Sequence, residues 1–350
     1  MTENPFDQDW QALPDSIWKA IKAGWANGMP PLASALYGRW WQLESWLRTL
    51  LYVELRAKIG SDWVKALPTA SEKRQRGEKE FRYMATPDAQ NLLAYTDASV
   101  LFDLTSAHWE LFEDTLLSKN VWVGRVEELL AIRNRIGHCR RPHTDDLIRL
   151  EQTLRDLNGG AFTAISTFNN QWPAHKDWVD AVTDGWAREQ HRDASRLVKH
   201  AERGYDTVFE LRYSRRPWVK LANEQNTISG IPGYIWHAFW YFRGGRPFRL
   251  DRFWRNLEYY HDPILLVCAD DPSSISVSFS AMENPKIVAD VIGKCFDAAL
   301  YSLGQGIAGN VGTWRERYKD IDPRVHVWSP WGSPWALVDE SMHDISIFDA

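Results

Sequence analysis

The stretch Val126-Glu127-Glu128-Leu129-Leu130-Ala131-Ile132-Arg133-Asn134-Arg135-Ile136-Gly137-His138 decides how the first half of this chain is interpreted. Its apolar residues recur at helical spacing, which predicts an amphipathic helix with one buried face. Gly137 and the nearby Pro142 predict that the helix ends close to His138. Because each residue advances a helix by about 100°, Asn134 and His138 share a face, and the long side chain of Arg133 can swing toward it.

An arginine, an asparagine and a histidine at one helix end suit phosphodiester cleavage without a metal. RNA carries its own nucleophile, the ribose 2′-hydroxyl, beside the scissile phosphate. Histidine supplies an acid or base that titrates near neutrality, and the planar fork of arginine matches phosphate oxygens. We therefore predict catalytic roles for Arg133, Asn134 and His138. The cations around them are predicted to contact the polyanionic substrate: Arg135, Arg140 and Arg141.

The spacing from Arg133 through Asn134 to His138 matches the signature of the HEPN superfamily, an arginine followed by four to six residues, the first usually polar, and then a histidine. Two further segments are similar to one branch, typified by a eukaryotic mRNA-surveillance endoribonuclease: the run from Leu43-Glu44 to Gly60-Ser61-Asp62-Trp63, and the run from Leu92 to Leu104. The resemblance spans about residues 32–158. It implies a helical bundle that cleaves RNA without cofactor or metal, as a homodimer in which two motif helices face each other.

Arg255-Asn256 is also followed by a histidine, His261, so the spacing alone does not choose between the two sites. This second match runs through Asp262-Pro263 into the strand-like segment 264–268. The interpretation we favour there is a capped helix next to a strand.

Composition limits the function classes. A chain of 350 residues can hold two domains, and its net charge of −5 confines nucleic-acid contacts to local patches. Cys139, Cys268 and Cys295 lack metal-ligand spacing and predict a reducing compartment without zinc. Neither a signal segment nor an apolar run of membrane-spanning length is found, so a cytoplasmic protein with no membrane contact is expected.

The fold class that we predict is a mainly α, HEPN-like helical bundle followed by an α+β domain with a small antiparallel sheet. The bundle is predicted over residues 1–160, with Gly159-Gly160 as the domain edge and Thr69 to Lys79 as an exposed loop. The second domain, 161–350, is predicted to contain helices over 161–203, antiparallel strands over about 205–282, a helix over 285–303 and an irregular tail. The alternation in Ser276-Val277-Ser278-Phe279-Ser280 predicts a half-exposed strand.

Arginines recur at every third residue from Arg243 to Arg255, interleaved with Phe248, Phe253 and Trp254. Guanidinium groups and aromatic rings together suit single-stranded RNA, so Arg246, Arg249 and Arg252 are predicted to bind substrate. The alternative is a loop and short helix whose arginines pair with carboxylates of the same domain. Asp270-Asp271, after a predicted strand, is interpreted as a turn rather than a metal site.

Two function classes follow. The first is an endoribonuclease that acts through 2′-hydroxyl attack as a toxin or antiviral defence effector, with RNA as substrate and an antitoxin or other protein as a possible partner. The second is a non-catalytic module whose helical domain forms a dimer and whose second domain binds RNA or a protein. No phosphate-binding loop and no serine-hydrolase elbow occurs in the sequence.

Overall fold

The structure is a computed structural model that describes residues 15–83, 91–220, 226–243, 246–304, 311–318, 321–327, 333–336, 338–342 and 345–348. Within these residues the first half is a bundle of helices, and the second half contains a mostly antiparallel sheet with further helices. The predicted fold class is therefore confirmed.

The bundle is built around one long helix, because its apolar residues are buried along nearly its whole length and other helices pack on several sides of it. This central helix, α2, packs against α4, α5 and α6. It ends at Gly60, whose φ of 61° is accessible to glycine, and a Cβ there would lie 3.0 Å from the carbonyl oxygen of Met282. The helices are α1 (Asp15–Ala26), α2 (Pro31–Ile59), α3 (Thr69–Lys79), α4 (Ala98–Ala107), α5 (Lys119–Gly137) and α6 (Asp146–Asn169).

One prediction about the bundle is wrong, and one of its helices continues past the predicted domain edge. The charged stretch Thr69–Lys79 is a helix, anchored where the buried Ser71 hydroxyl contacts the Thr96 hydroxyl at 2.9 Å. The helix α6 also passes through Gly159-Gly160 without a break. A Cβ on Gly160 would lie 2.2 Å from the carbonyl oxygen of Thr115, so this glycine serves close packing of the helix.

The sheet has six strands within the described residues, in the order β1-β2-β3-β5-β4-β6. All neighbours are antiparallel except β4 and β6, which are parallel. Its long strands β2 and β3 pair over nine residues, from Thr207 opposite Phe242 to Arg215 opposite Tyr234. The strands are β1 (Trp172–Pro173), β2 (Thr207–Arg215), β3 (Tyr234–Phe242), β4 (Ile264–Ala269), β5 (Ser274–Ser280) and β6 (Val325–Val327).

Helices cover both faces of this sheet. One face shares a first core with the bundle, to which the strands contribute Ile235, Leu265 and Leu266. The opposite face carries a second core, which includes Trp236 and Phe296. The helices of the second half are α7 (Ala194–Tyr205), α8 (Leu250–Asn256), α9 (Pro285–Tyr301) and α10 (Val311–Tyr318).

Burial of both faces corrects the prediction of a half-exposed β5, because every residue of this strand is buried. Ser278 and Ser280 are bonded within the protein: Ser278 Oγ lies 2.8 Å from Nδ1 of His237, and Ser280 Oγ donates to the carbonyl oxygen of Arg56 at 2.7 Å. The buried Oγ of Ser276 has no hydrogen-bond partner among the described residues. Hydroxyl groups that find partners inside the protein can alternate with apolar residues in a fully buried strand.

Two further predictions about the second half are corrected. The residues 176–192 are mostly irregular, with a π-helical turn over Thr183–Ala187, although helices were expected throughout 161–203. Trp178, Val182 and Trp186 are buried in the second core at a spacing that imitates a helix. The tail, predicted to be irregular, supplies β6, whose parallel pairing with β4 departs from the expected antiparallel sheet.

Buried ion pairs fix the bundle to the sheet. The guanidinium of Arg216, after β2, donates from Nε to Oε1 of Glu54 on α2 at 2.9 Å, and both side chains are fully buried. Two residues further along α2, Arg56 lies 3.0 Å from the carboxylate of Glu283. Removing one member of such a pair leaves an uncompensated buried charge, so these contacts hold α2 in one position on the sheet.

Candidate active site

The motif helix α5 is held in place by its buried face. Leu129 and Ile132 are buried in the first core, and the indole Nε1 of Trp122 donates to the hydroxyl of Thr105 at 3.0 Å. The helix ends at Gly137, with His138 as its C-cap, as the sequence predicted.

The end of α5 is a Schellman motif. The amide of Cys139 donates to the carbonyl oxygen of Ile136 at 3.2 Å, and that of Arg140 to the carbonyl oxygen of Arg135 at 2.8 Å. Cys139 adopts the left-handed conformation this motif requires, with φ of 53°. The turn thus fixes the backbone of His138, the residue between the helix and Cys139.

The side chains of Arg133 and Asn134 meet at the last turn of the helix. Nη1 of Arg133 lies 3.5 Å from Oδ1 of Asn134, and a Cβ built on Gly137 would lie 3.6 Å from the same Nη1. The guanidinium therefore lies along the helix surface over Gly137. Of the described residues, none supplies a carboxylate within ion-pairing distance of it, so its charge is available to an anion.

The imidazole of His138 is exposed and makes no hydrogen bond to any described residue. Arg140 and Arg141 follow it and are exposed as well. The structure thus brings Arg133 and Asn134 together and presents His138 on the next turn of the chain, open to solvent.

Arg135 has a different environment from the other predicted substrate ligands. Its Nε donates to Oδ2 of Asp146 at 2.8 Å and its Nη2 to Oδ1 at 2.5 Å, a bidentate pair with a nearly fully buried carboxylate. Burial alone would raise the pKa of Asp146, but the hydrogen bonds from Arg135 and the amide of His143 outweigh it and lower the pKa below its ordinary value. This pair ties the loop after the motif to the motif helix.

A cleft of about 930 Å³ opens beside the motif. Its wall is formed by α2, by the last turn of α5 with Arg133 and Gly137, and by β6 with the turn that follows it. The cleft is rich in aromatic side chains, and the most exposed is Trp41, with 64% of its surface accessible. Asn134 and His138 do not line the cleft, so the motif stands at its edge, with Arg133 facing inward.

Within the cleft, Glu44 and Arg48 form a bonded pair on α2 that the sequence interpretation did not assign to the site. Glu44 accepts from both Arg48 and the indole Nε1 of Trp40, the latter at 2.5 Å, and Arg48 also donates to the carbonyl oxygen of Thr96 at 3.0 Å. Two opposite charges four residues apart on a mostly buried helix were the signal available in the sequence.

Residues 41–159 match the protein-family model described as Swt1-like HEPN. This segment is a HEPN domain. The match covers α5, its motif and most of α2, and it ends inside α6 before the sheet begins. No curated protein and no solved structure matches the chain.

The arginine series of the second half lies away from the HEPN domain. Helix α8 packs in the second core, on the face of the sheet opposite the bundle, and buries Phe248, Phe253 and Trp254 there. These three rings pack in the core and are therefore not available to stack on RNA bases.

The arginines themselves are divided between exposed and paired positions. Arg252 is exposed, and Arg246 is exposed with its guanidinium 5.4 Å from the ring centre of Tyr205. Arg249 is half-buried and pairs with Asp251 at 3.1 Å, as the alternative interpretation of the series expected. The structure does not bring these arginines together with Arg133, and their role as RNA ligands stays a prediction.

The second arginine–histidine match has a structural role. His261 is buried, its Nε2 lies 2.8 Å from the carbonyl oxygen of Trp254, and its ring stacks on that indole at 3.8 Å. Burial is the largest effect on its pKa, which is lowered from the ordinary value. The neighbouring Asp270-Asp271 forms the expected turn, in which Asp271 Oδ1 accepts from the amide of Ser273 at 2.5 Å.

The described residues show neither a metal site nor a membrane span. They contain no group of three or more His, Cys, Asp or Glu side chains placed to hold a metal ion. No helix among them is both long and apolar enough to cross a bilayer.

Proposed function

We propose that this chain is a metal-independent endoribonuclease whose HEPN domain cleaves RNA by attack of the ribose 2′-hydroxyl. The observation that carries the proposal is the end of α5, where a guanidinium with no carboxylate partner among the described residues faces a cleft, one turn from an exposed imidazole. A helix end with only a structural role would require neither a guanidinium without a carboxylate partner nor an exposed imidazole.

Each residue of the motif has a role in this reaction. Arg133 binds a non-bridging oxygen of the scissile phosphate and stabilises the added negative charge in the transition state. His138 transfers a proton, either from the 2′-hydroxyl or to the 5′-oxygen that leaves. Asn134, in contact with Arg133, holds the guanidinium or donates to a second phosphate oxygen. The new bond joins phosphorus to the 2′-oxygen, and the bond to the 5′-oxygen breaks.

The reaction requires a proton acceptor and a proton donor, and one motif supplies a single histidine. We propose that a second copy of the chain, related by a two-fold axis, supplies the other imidazole. The exposed position of His138 outside the cleft leaves it accessible to such a partner. Light scattering of the purified protein is expected to give the mass of a dimer.

A toxin or antiviral effector restrained by a partner protein is the biological role that we propose for such an activity. The alternative is a non-catalytic HEPN module that forms dimers and binds RNA or protein through its second half. The guanidinium of Arg133 has no carboxylate partner in the described part of the chain, which favours the enzyme because a dimerisation helix gains nothing from such a group.

The chemistry of the products tests the reaction. An unstructured RNA oligonucleotide incubated with the protein in excess EDTA should give fragments that end in a 2′,3′-cyclic phosphate and begin with a 5′-hydroxyl, as mass spectrometry would show. The same oligonucleotide with 2′-deoxyribose throughout should stay intact, because it has no nucleophile. Cleavage of the deoxy oligonucleotide, or fragments that carry a 5′-phosphate, would exclude 2′-hydroxyl attack.

A further inference from the structure

A histidine from the second half of the chain lies in the wall of the cleft beside Arg133. His326 is the central residue of β6 and is 8% exposed. Its Nδ1 lies 2.5 Å from Oγ of Ser333, while its Nε2 is buried and has no hydrogen-bond partner in the described part of the protein. Burial lowers the pKa of the imidazole to about 4, so the ring is neutral at pH 7 and can both donate and accept.

A second buried polar atom without a partner lies in the same wall. Arg48 uses Nη2 to bond Glu44 and the carbonyl oxygen of Thr96, but its Nη1 has no partner among the described residues and is buried. Buried polar atoms are nearly always hydrogen-bonded, and an unpaired one costs about 1–3 kcal/mol. Both His326 and Arg48 line the cleft, and each has a buried hydrogen-bonding atom without a partner among the described residues, which a ligand in the cleft can supply.

The charge of the cleft identifies the kind of ligand. Its two acidic side chains are neutralised, since Glu44 is bonded to Arg48 and Asp322 pairs with Arg324 at 3.1 Å. Arg133 has no carboxylate partner among the described residues, so its positive charge is unbalanced at the end of the cleft where the motif lies.

The volume and the aromatic lining of the cleft further restrict the ligands that it can bind. A volume of about 930 Å³ accommodates a molecule the size of a nucleotide. Tyr37 and Trp41 are among the lining side chains and are 59% and 64% exposed. An unpaired base can stack on such rings directly, whereas a base within a duplex must first be unpaired and unstacked, which costs a few kcal/mol.

We propose that this cleft binds one unpaired nucleotide of the RNA, next to the phosphate held by Arg133, with His326 hydrogen-bonded to the base edge and Arg48 to a ribose or phosphate oxygen. The inference deepens the proposed function and rests on it for the identity of the substrate. It assigns a substrate contact to His326, which lies outside the HEPN domain. Because β6 belongs to the sheet, the second half of the chain then takes part in positioning the substrate.

Direct binding of mononucleotides tests the proposal independently of catalysis. Calorimetric titration with the four nucleoside 3′-monophosphates should show binding of at least one of them to the wild-type protein. His326→Phe keeps the ring and removes its nitrogens, and we expect it to weaken binding about tenfold. His326→Gln restores a donor and an acceptor and should recover part of the loss. Arg48→Lys keeps the positive charge but removes Nη1, the atom without a partner, and should also weaken binding.

Two variants serve as controls. His200→Phe changes an exposed histidine on α7 and should bind as the wild type does. His138→Ala should bind nucleotide normally while it loses cleavage, because His138 does not line the cleft. If the proposed cleavage site is wrong, His138→Ala will cleave RNA as the wild type does. If this inference is wrong, His326→Phe will bind nucleotide as the wild type does.

The proposal is overturned if none of the four mononucleotides binds, or if His326→Phe and Arg48→Lys bind as tightly as the wild type. It is also overturned if His326→Phe leaves nucleotide binding unchanged but converts a dimer to a monomer in light scattering. That result would indicate that the cleft holds a side chain of a second copy of the protein instead of a nucleotide.

Discussion

At the scale of single residues, the sequence predicted the end of the motif helix but not the contacts of each side chain. The helix ends at Gly137 as expected, yet the left-handed residue of the cap is Cys139. Arg135 was grouped with Arg140 and Arg141 because all three are basic. A sequence does not show which cation has a buried carboxylate within reach, and Asp146 is eleven residues away from Arg135.

The first prediction concerns the strained cap. Cys139→Gly removes the steric cost of the left-handed conformation and should raise the free energy of unfolding by about 1 kcal/mol. Cys139→Ala, which loses the thiol but keeps Cβ, should stay close to the wild type. Urea denaturation of the three proteins measures the difference. A Gly variant less stable than the Ala variant would show that the strain at this position is not relieved by glycine.

The second prediction separates structural from substrate-binding arginines. Arg135→Met leaves the carboxylate of Asp146 buried without its cation, so the free energy of unfolding should fall by about 2–3 kcal/mol. Arg141→Met, at an exposed residue, should change it by less than about 0.5 kcal/mol. Equal stability of the two variants in denaturant unfolding would contradict the role assigned to the Arg135–Asp146 pair.

At the scale of elements, strongly periodic segments were predictable and segments with competing signals were not. The apolar residues of α5, α6 and α9 indicated their helices directly. Thr69–Lys79 has no apolar stripe, so its helix depends on Ser71 and on the pairing of Arg74 with Asp97, which only the fold brings together. In 176–192, Val182 and Trp186 lie on a short helical turn and Trp178 on the irregular chain before it, and all three are buried in one core. The three-residue strand β6 is too short to give a pattern.

At the scale of the whole molecule, the sequence of β5 did not predict that helices cover both faces of the sheet. Its serines suggested a solvent-exposed face, but Ser278 and Ser280 form hydrogen bonds inside the protein. His237 lies in the same layer between sheet and bundle, with Nε2 2.7 Å from Oγ of Ser214 and its ring edge-on to Phe168. Burial, followed by the nearby charges of Arg212 and Arg216, lowers its pKa to about 3.

The third prediction follows from this buried, neutral histidine. Between pH 6.5, where the unfolded chain begins to take up the proton, and about 3, only the unfolded state is protonated at this site, so stability falls as the pH falls. The contribution is about 1.4 kcal/mol per pH unit. His237→Gln cannot titrate, and the slope of its unfolding free energy between pH 6 and 4.5 should be smaller by that amount. Equal slopes would show that His237 is protonated in the folded protein.

The central claim is that Arg133 and His138 cleave RNA, and the most direct measurement is the cleavage rate of one unstructured RNA oligonucleotide in EDTA by four proteins. The account predicts that His138→Ala and Arg133→Ala each lower the rate about 10²-fold or more, while the dimer and its unfolding transition stay intact. The fourth protein, His200→Ala, changes an exposed histidine of α7 and should match the wild type. Cleavage by His138→Ala at the wild-type rate would contradict the account.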